Sequence, residues 1–255
     1  MTDRLRVAMW SGPRNLSTAM MRSFENRPDC EVWDEPFYAA YLTVTGIVHP
    51  MREAVIAGGE TDWRQVACQC IGAPASGAPI FFQKHMTHHM VAGIGRDWIE
   101  QVTSAFLIRD PAYVVASYGN KRAEVQLRDI GFTEQYEIFH ETAERLGRAP
   151  PVVDADDVRR EPRRTLMALC QALDIPFDER MLSWPAGSRA SDGAWAPHWY
   201  DAVNRSTGFA APADAPPALA GRAGQVAAAA RPYYEALLEH AISSANPLRS
   251  TQRPN

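Results

Sequence analysis

Several short stretches of this chain place residues suited to binding an anion just after apolar runs. Residues 10–18 read WSGPRNLST, following LRVAMW at 5–10. A phosphate requires converging N–H donors and positive charge, and the start of a helix supplies both. Gly12 lets the backbone approach and Pro13 stiffens the turn. Arg14 adds a charged fork, Asn15 and Leu16 lead into the helix, and Ser17 and Thr18 add hydroxyl donors. The common nucleotide loop G-x-x-x-x-G-K-[ST] does not fit. With Thr18 last, its glycine positions hold Ser11 and Leu16 and its lysine position Ser17; with Ser17 last, they hold Trp10, Asn15 and Leu16. An ordinary ATPase or GTPase loop is thereby disfavoured. A phosphate loop of another kind and a plain strand-to-helix turn both remain open.

Residues 104–117 read SAFLIRDPAYVVAS. An arginine that ends a buried strand is costly unless it meets an anion. Arg109 does so here, with Asp110 as a partner or as the cap of the next helix, Pro111 at that helix's first position, and Ser117 two turns in. CEVWDEPF puts Asp34 and Glu35 past another apolar run, either as a base or as caps. FFQKHMTHH sets Lys84 beside His85, whose imidazole titrates in a useful range; His88 and His89 are expected on a solvated helix face, Met86 and Met90 in the core. SRASDGAWAPHWYDAVNRSTGF (188–209) is unusually rich in Arg, Trp, His and Tyr for a loop.

These stretches need a scaffold that gathers them. Apolar runs at 5–10, 30–33, 79–84, 104–109 and 151–155 read as strands, separated by segments of helical periodicity. That alternation predicts an α/β fold with a central parallel sheet flanked by helices. Right-handed crossovers bring every strand's carboxyl end to one edge, where chemistry should gather. Helices are expected after Ser17-Thr18, over 162–174, and over 222–242 with Tyr233, Leu237 and Ile242 as anchors and Pro232 starting or kinking the second half. GFAAPADAPPALAG (208–221) reads as a loop before a helical tail. The 255 residues suit a single domain, 1–255, with 206–255 as Pro/Ala-rich loop and tail. A net charge of −4 argues against nucleic acid or an anionic membrane as partner. Neither a signal peptide nor a membrane-length apolar run is present, and Cys30, Cys68, Cys70 and Cys170 lack zinc spacing, so a cytoplasmic location with free, buried thiols is expected.

With these residues in view, the chain resembles the sulfotransferase family, in its P-loop-like, divergent bacterial-type branch. The family's 3′-phosphate element is an apolar strand, R-[DN]-P, and a serine eight residues after the arginine; Arg109-Asp110-Pro111 and Ser117 match. Pro13-Arg14-Asn15-Leu16-Ser17-Thr18 resembles its 5′-phosphosulfate loop, with Arg14 in place of the more usual lysine. Residues 151–185 resemble its fifth strand, an acidic turn written here Asp156-Asp157-Val158, and the following helix. The resemblance implies the donor 3′-phosphoadenosine 5′-phosphosulfate, the product 3′,5′-adenosine bisphosphate, and transfer of a sulfuryl group to an acceptor hydroxyl or amine. It implies that Gly12 through Thr18 hold the 5′ end and Arg109 and Ser117 the 3′-phosphate. Glu35 becomes the expected base with His85 behind it, and Lys84 reaches the sulfonate. Arg189, Trp195, His198 and Arg205 would form a divergent lid. A sulfuryl group carries less charge than a phosphoryl group, so no metal is expected. Two other readings stay open: a P-loop kinase or NTPase, in which the acids ending AFLIRD and PVVDAD would hold magnesium, and a non-catalytic nucleotide-binding protein. The acceptor, whether small metabolite, phenol, carbohydrate or lipid, has no motif, and nothing in the sequence bears on oligomeric state.

Overall fold

The computed structural model describes residues 4–120, 124–213 and 215–242. Five strands form one sheet: β1 (Leu5–Ser11), β2 (Cys30–Asp34), β3 (Ile80–Met86), β4 (Thr103–Ile108) and β5 (Val152–Asp154). Their order is β2-β3-β1-β4-β5 and every neighbouring pair is parallel. Each expected strand is present, with ends displaced by no more than a few residues.

Strand alternation divides the core in two. On β1, Val7 and Met9 face one cluster with Met20, Phe24, Leu107 and Leu166, while Ala8 and Trp10 face the other with Phe106, Ile138 and Phe139. The helices Ser17–Glu25 and Pro162–Ala172 close the first face, and Phe132–Leu146 and Gly221–Leu238 the second. This two-sided cover is what an all-parallel sheet needs.

The helical tail is one helix, Gly221–Leu238, running unbroken through Pro232. Tyr234 rather than Tyr233 is its buried aromatic, and Ile242 is half-buried with its N–H on the Val152 carbonyl at 2.8 Å. Asp214 and residues 243–255 of the expected loop and tail lie outside the described residues. The four cysteines are free, Cys68 being exposed.

Gly12 shows how tightly the first loop is packed. A Cβ there would lie 2.3 Å from the Ile130 backbone oxygen. Backbone cannot yield as a flexible side chain does, so Gly12→Ala is expected to destabilise the fold by about 1–3 kcal/mol. Urea unfolding of the variant would measure it, and an unchanged midpoint would refute it.

Candidate active site

A cleft of about 390 Å³ opens at the carboxyl edge of the sheet. It gathers Pro13, Arg14, Leu16, Ser17 and Thr18 from the loop after β1, Glu35 after β2, Lys84 on β3, and Arg109 and Ser117 after β4. Residues from four strand ends thus share one cavity, as the parallel topology requires.

The first loop has an unusual backbone. Arg14 and Leu16 both have positive φ, 63° and 70°, a region that costs non-glycine residues energy and collects at ligand sites. Leu16 is the N-cap of the Ser17–Glu25 helix and makes no side-chain cap hydrogen bond. The first-turn amides are therefore left for water or a ligand.

Arg14 and Arg109 meet in the cleft. Arg109 Nη1 donates to the Arg14 carbonyl at 2.8 Å, and Arg14 Nε donates to Ser117 Oγ at 2.9 Å. The residues expected at the two ends of a ligand, Arg14 at one and Arg109 with Ser117 at the other, are thus linked directly. Arg159, which sequence reasoning missed, lines the same cleft. Among the described residues, none of these three arginines has a carboxylate within 4 Å, and Arg109 Nε is buried without a hydrogen-bond partner. Burial lowers the pKa of Arg14; burial and then Arg159 lower that of Arg109. Half-buried positive charge with no carboxylate partner, one of its N–H groups fully buried, marks an anion site.

Asp110 does not serve as the partner of Arg109. It caps the Pro111–Gly119 helix through Ala112 N at 2.8 Å, and Arg231 of the last helix grips it with two bonds, 2.7 and 3.0 Å. Asp154, ending β5, accepts from Tyr234 of the same helix at 2.8 Å and caps the helix Ala155–Arg160.

The other end of the cleft is built on Lys84. Its three N–H donors meet Asp34 Oδ1 at 2.7 Å, Glu35 Oε1 at 2.7 Å and the Tyr200 hydroxyl at 2.6 Å. Tyr200 donates to Asp34 Oδ2 at 2.7 Å and accepts from Trp195 Nε1 at 3.0 Å. Lys84 has no donor left for a ligand, so the expectation that it reaches a sulfonate is replaced by a role holding Glu35. Burial alone would lower the Lys84 ammonium, but Asp34 and Glu35 outweigh it and hold its pKa well above the usual value. For Glu35 the balance is reversed: burial pushes its pKa up to about 7, Lys84 pulling it down and Asp34 adding to the rise. Glu35 also has positive φ, 43°, and turns Oε2 toward His89 Nε2, 4.0 Å away.

Strand alternation explains why His85 is not in the cleft. Lys84 pairs in register with Met9 and His85 with Trp10, so they face opposite sides. His85 stacks on Trp10 at 4.6 Å, lies against Gln83 at 3.1 Å, and is pushed down to about 3 by burial. It cannot take a proton from a substrate in the cleft. His88 and His89, expected on a solvated face, line the cleft instead, with His89 fully buried. Tyr38, His49, Tyr118, Trp199 and Tyr200 join them. Among the described residues, no group of three or more His, Cys, Asp or Glu is placed to hold a metal ion.

Of the expected lid, Trp195 alone lines the cleft; Arg189, His198 and Arg205 do not. Arg189 turns to the Pro185 carbonyl at 2.6 Å and to Glu25 at 3.7 Å. Gly12 and Asn15 also sit behind the lining: Asn15 Nδ2 donates to the Leu107 carbonyl at 3.3 Å and braces the loop against β4.

The chain belongs to the sulfotransferase family, whose sulfotransferase-domain profile matches residues 5–241. Two Arabidopsis thaliana proteins are similar in sequence. Branched-chain-amino-acid aminotransferase-like protein 2 is 36% identical over 81% of this chain and 36% of its own length. Branched-chain-amino-acid aminotransferase-like protein 1 is 35% identical over 97% of this chain and 44% of its own length. The chain therefore spans less than half of either relative. Among solved structures, a sulfotransferase from Alicyclobacillus acidocaldarius is similar with a TM-score of 0.53 at 11% identity, covering 95% of this chain and 98% of that one. The sulfotransferase domain from the curacin biosynthetic pathway is similar with a TM-score of 0.50 at 14% identity, covering 89% and 97%. At these identities the likeness is one of fold: a five-stranded parallel sheet with helices on both faces. Among the described residues, no helix is long and apolar enough to cross a membrane.

Proposed function

We propose that this chain moves a sulfuryl group from 3′-phosphoadenosine 5′-phosphosulfate to a hydroxyl or amine of a small-molecule acceptor. The observation that carries the reading is the arginine cluster: Arg109, with its buried and unpartnered Nε, shares a cleft with Arg14, Arg159 and an uncapped helix start. This donor set fits a ligand with phosphates at two positions. The loop amides, Ser17 and Thr18 receive the 5′ phosphosulfate end. Arg109 and Ser117 receive the 3′-phosphate, and Arg14 spans the two.

When bound, the donor would supply an activated sulfuryl group whose bridging S–O bond would break, the electron pair leaving on the phosphate oxygen, as the acceptor oxygen or nitrogen bonds to sulfur. The chain's contribution is positional and electrostatic. Guanidinium and amide groups stabilise charge on the leaving side, and Glu35 Oε2 takes the acceptor's proton. Lys84, Asp34 and Tyr200 fix the Glu35 carboxylate in place. The aminotransferase-like names of the plant relatives belong to proteins more than twice as long. Such chemistry uses a lysine amine free to form an imine; among the described residues the one lysine is Lys84, which is charged and bound to three oxygens.

The test is ligand-induced stabilisation. A ligand that binds only the folded state raises its melting temperature. Saturating 3′,5′-adenosine bisphosphate is expected to raise it by several degrees, ATP with magnesium by less, and Arg109→Ala to abolish the bisphosphate effect. A larger shift with magnesium ATP would overturn the reading in favour of a kinase or NTPase.

A further inference from the structure

The acceptor side of the cleft contains a buried group whose ring nitrogens have no hydrogen-bond partner. His89 is 1% exposed, and neither ring nitrogen has a hydrogen-bond partner. Leaving an imidazole unpaired costs free energy unless something completes it. Its orientation is nevertheless tightly set. The ring stacks on Tyr38 and on Tyr41, each at 4.7 Å and within 25° of parallel. The short turn that carries it is tied down by Thr87, whose hydroxyl donates to the Gly131 carbonyl at 2.8 Å. Gly131 has no room for a side chain, since a Cβ would meet that hydroxyl at 2.5 Å.

We propose that His89 seats the acceptor, its imidazole N–H donating to the acceptor oxygen while Glu35 Oε2 receives the proton of that same hydroxyl. The proposal rests on reading Glu35 as the base. Nε2 and Oε2 are 4.0 Å apart, too far to bond each other. An oxygen about 2.8 Å from both would bond to each; Nε2 is buried, so that oxygen reaches it by displacing the lining slightly. That oxygen would have one of its two lone pairs engaged by an uncharged donor and its proton held by the base, leaving the other lone pair for sulfur. Burial, with His88 and His49 adding to it, pushes the His89 pKa well below the usual value, so the ring is neutral and acts as a donor rather than as a second base. Tyr38, Met86, Tyr118 and Trp199 form the surrounding wall and suit an uncharged alcohol with an apolar body.

The experiment compares benzyl alcohol with toluene, which lacks the hydroxyl, on full-length protein saturated with 3′,5′-adenosine bisphosphate. Wild-type protein is expected to bind the alcohol about tenfold more tightly, and the alcohol alone to move the His89 Nε2 resonance in histidine-labelled nitrogen NMR. His89→Phe, which keeps the stacking, should bring the two affinities to parity. His89→Gln, which keeps a neutral N–H donor, should restore part of the preference. A merely structural histidine would show none of these differences. Equal affinities in the wild type, or no binding of benzyl alcohol, overturns the role of His89 whatever the bisphosphate does. A retained hydroxyl preference without any bisphosphate-induced thermal shift keeps His89 and overturns the donor assignment instead.

Discussion

Lys84→Met is expected to destabilise the protein by about 3–5 kcal/mol, the cost of breaking a buried ion pair from one side, and to lower its melting temperature by at least about 6 °C. Lys84 is 1% exposed and bridges Asp34 and Glu35, whose side chains are also nearly buried. Removing the ammonium leaves two carboxylates side by side in a place that water hardly reaches. A methionine fills the volume but offers no N–H. The loss should shrink in acid, as Glu35 protonates. The triple variant Asp34→Asn, Glu35→Gln, Lys84→Met should recover much of it, because a neutral cluster has no charge to desolvate. Chemical denaturation at pH 7 and pH 5 measures both. A single variant within 1 kcal/mol of wild type at pH 7 would show that the cluster is already neutral in the native state.

Glu35→Gln has a separate signature. Losing a general base typically costs about 10²–10⁴-fold in rate. Turnover, followed as bisphosphate release with benzyl alcohol as acceptor, should fall by that much while the bisphosphate thermal shift persists. The pH dependence has opposite signs for rate and for stability. A base raised to about 7 is protonated below that pH, so the wild-type rate should fall as pH drops through 7. Stability runs the other way. The folded state holds the proton more tightly than the unfolded chain, whose Glu35 titrates near the ordinary 4.5. Between those values the native state binds more protons, so the contribution of Glu35 to stability is lost as pH rises from about 4.5 to about 7. Glu35→Gln removes both slopes. A rate within threefold of wild type would assign the proton to another group.

The frame of this site is written locally in the sequence. Each strand is a short apolar run, and the residues just past β1, β2 and β4 carry Arg14, Ser17, Thr18, Glu35, Arg109 and Ser117 into one cleft. Arg159 follows β5 by the same logic and could be found by it. His85 was legible in principle, since a two-residue period puts it opposite Lys84. What is not local is the surroundings of Glu35. Lys84 meets Asp34 because β2 and β3 pair in that register, which no spacing reveals. Tyr200 lies 166 residues from Asp34, in a loop whose composition announces aromatics without saying which of them turns inward. Arg189 looks like a ligand-binding arginine, but two acceptors near its own loop satisfy it first. His89 looks solvent-facing because a polar pair after a strand normally is; packing against two tyrosines decides otherwise.

The grip of Arg231 on Asp110 ties the anion-binding end of the cleft to a helix far along the chain. The two residues stand 121 positions apart, and Asp110 adjoins Arg109. Were Arg231 lost, an unneutralised carboxylate would stand beside Arg109 and would repel an approaching anion. The Gly221–Leu238 helix thus acts on the cleft electrostatically without lining it.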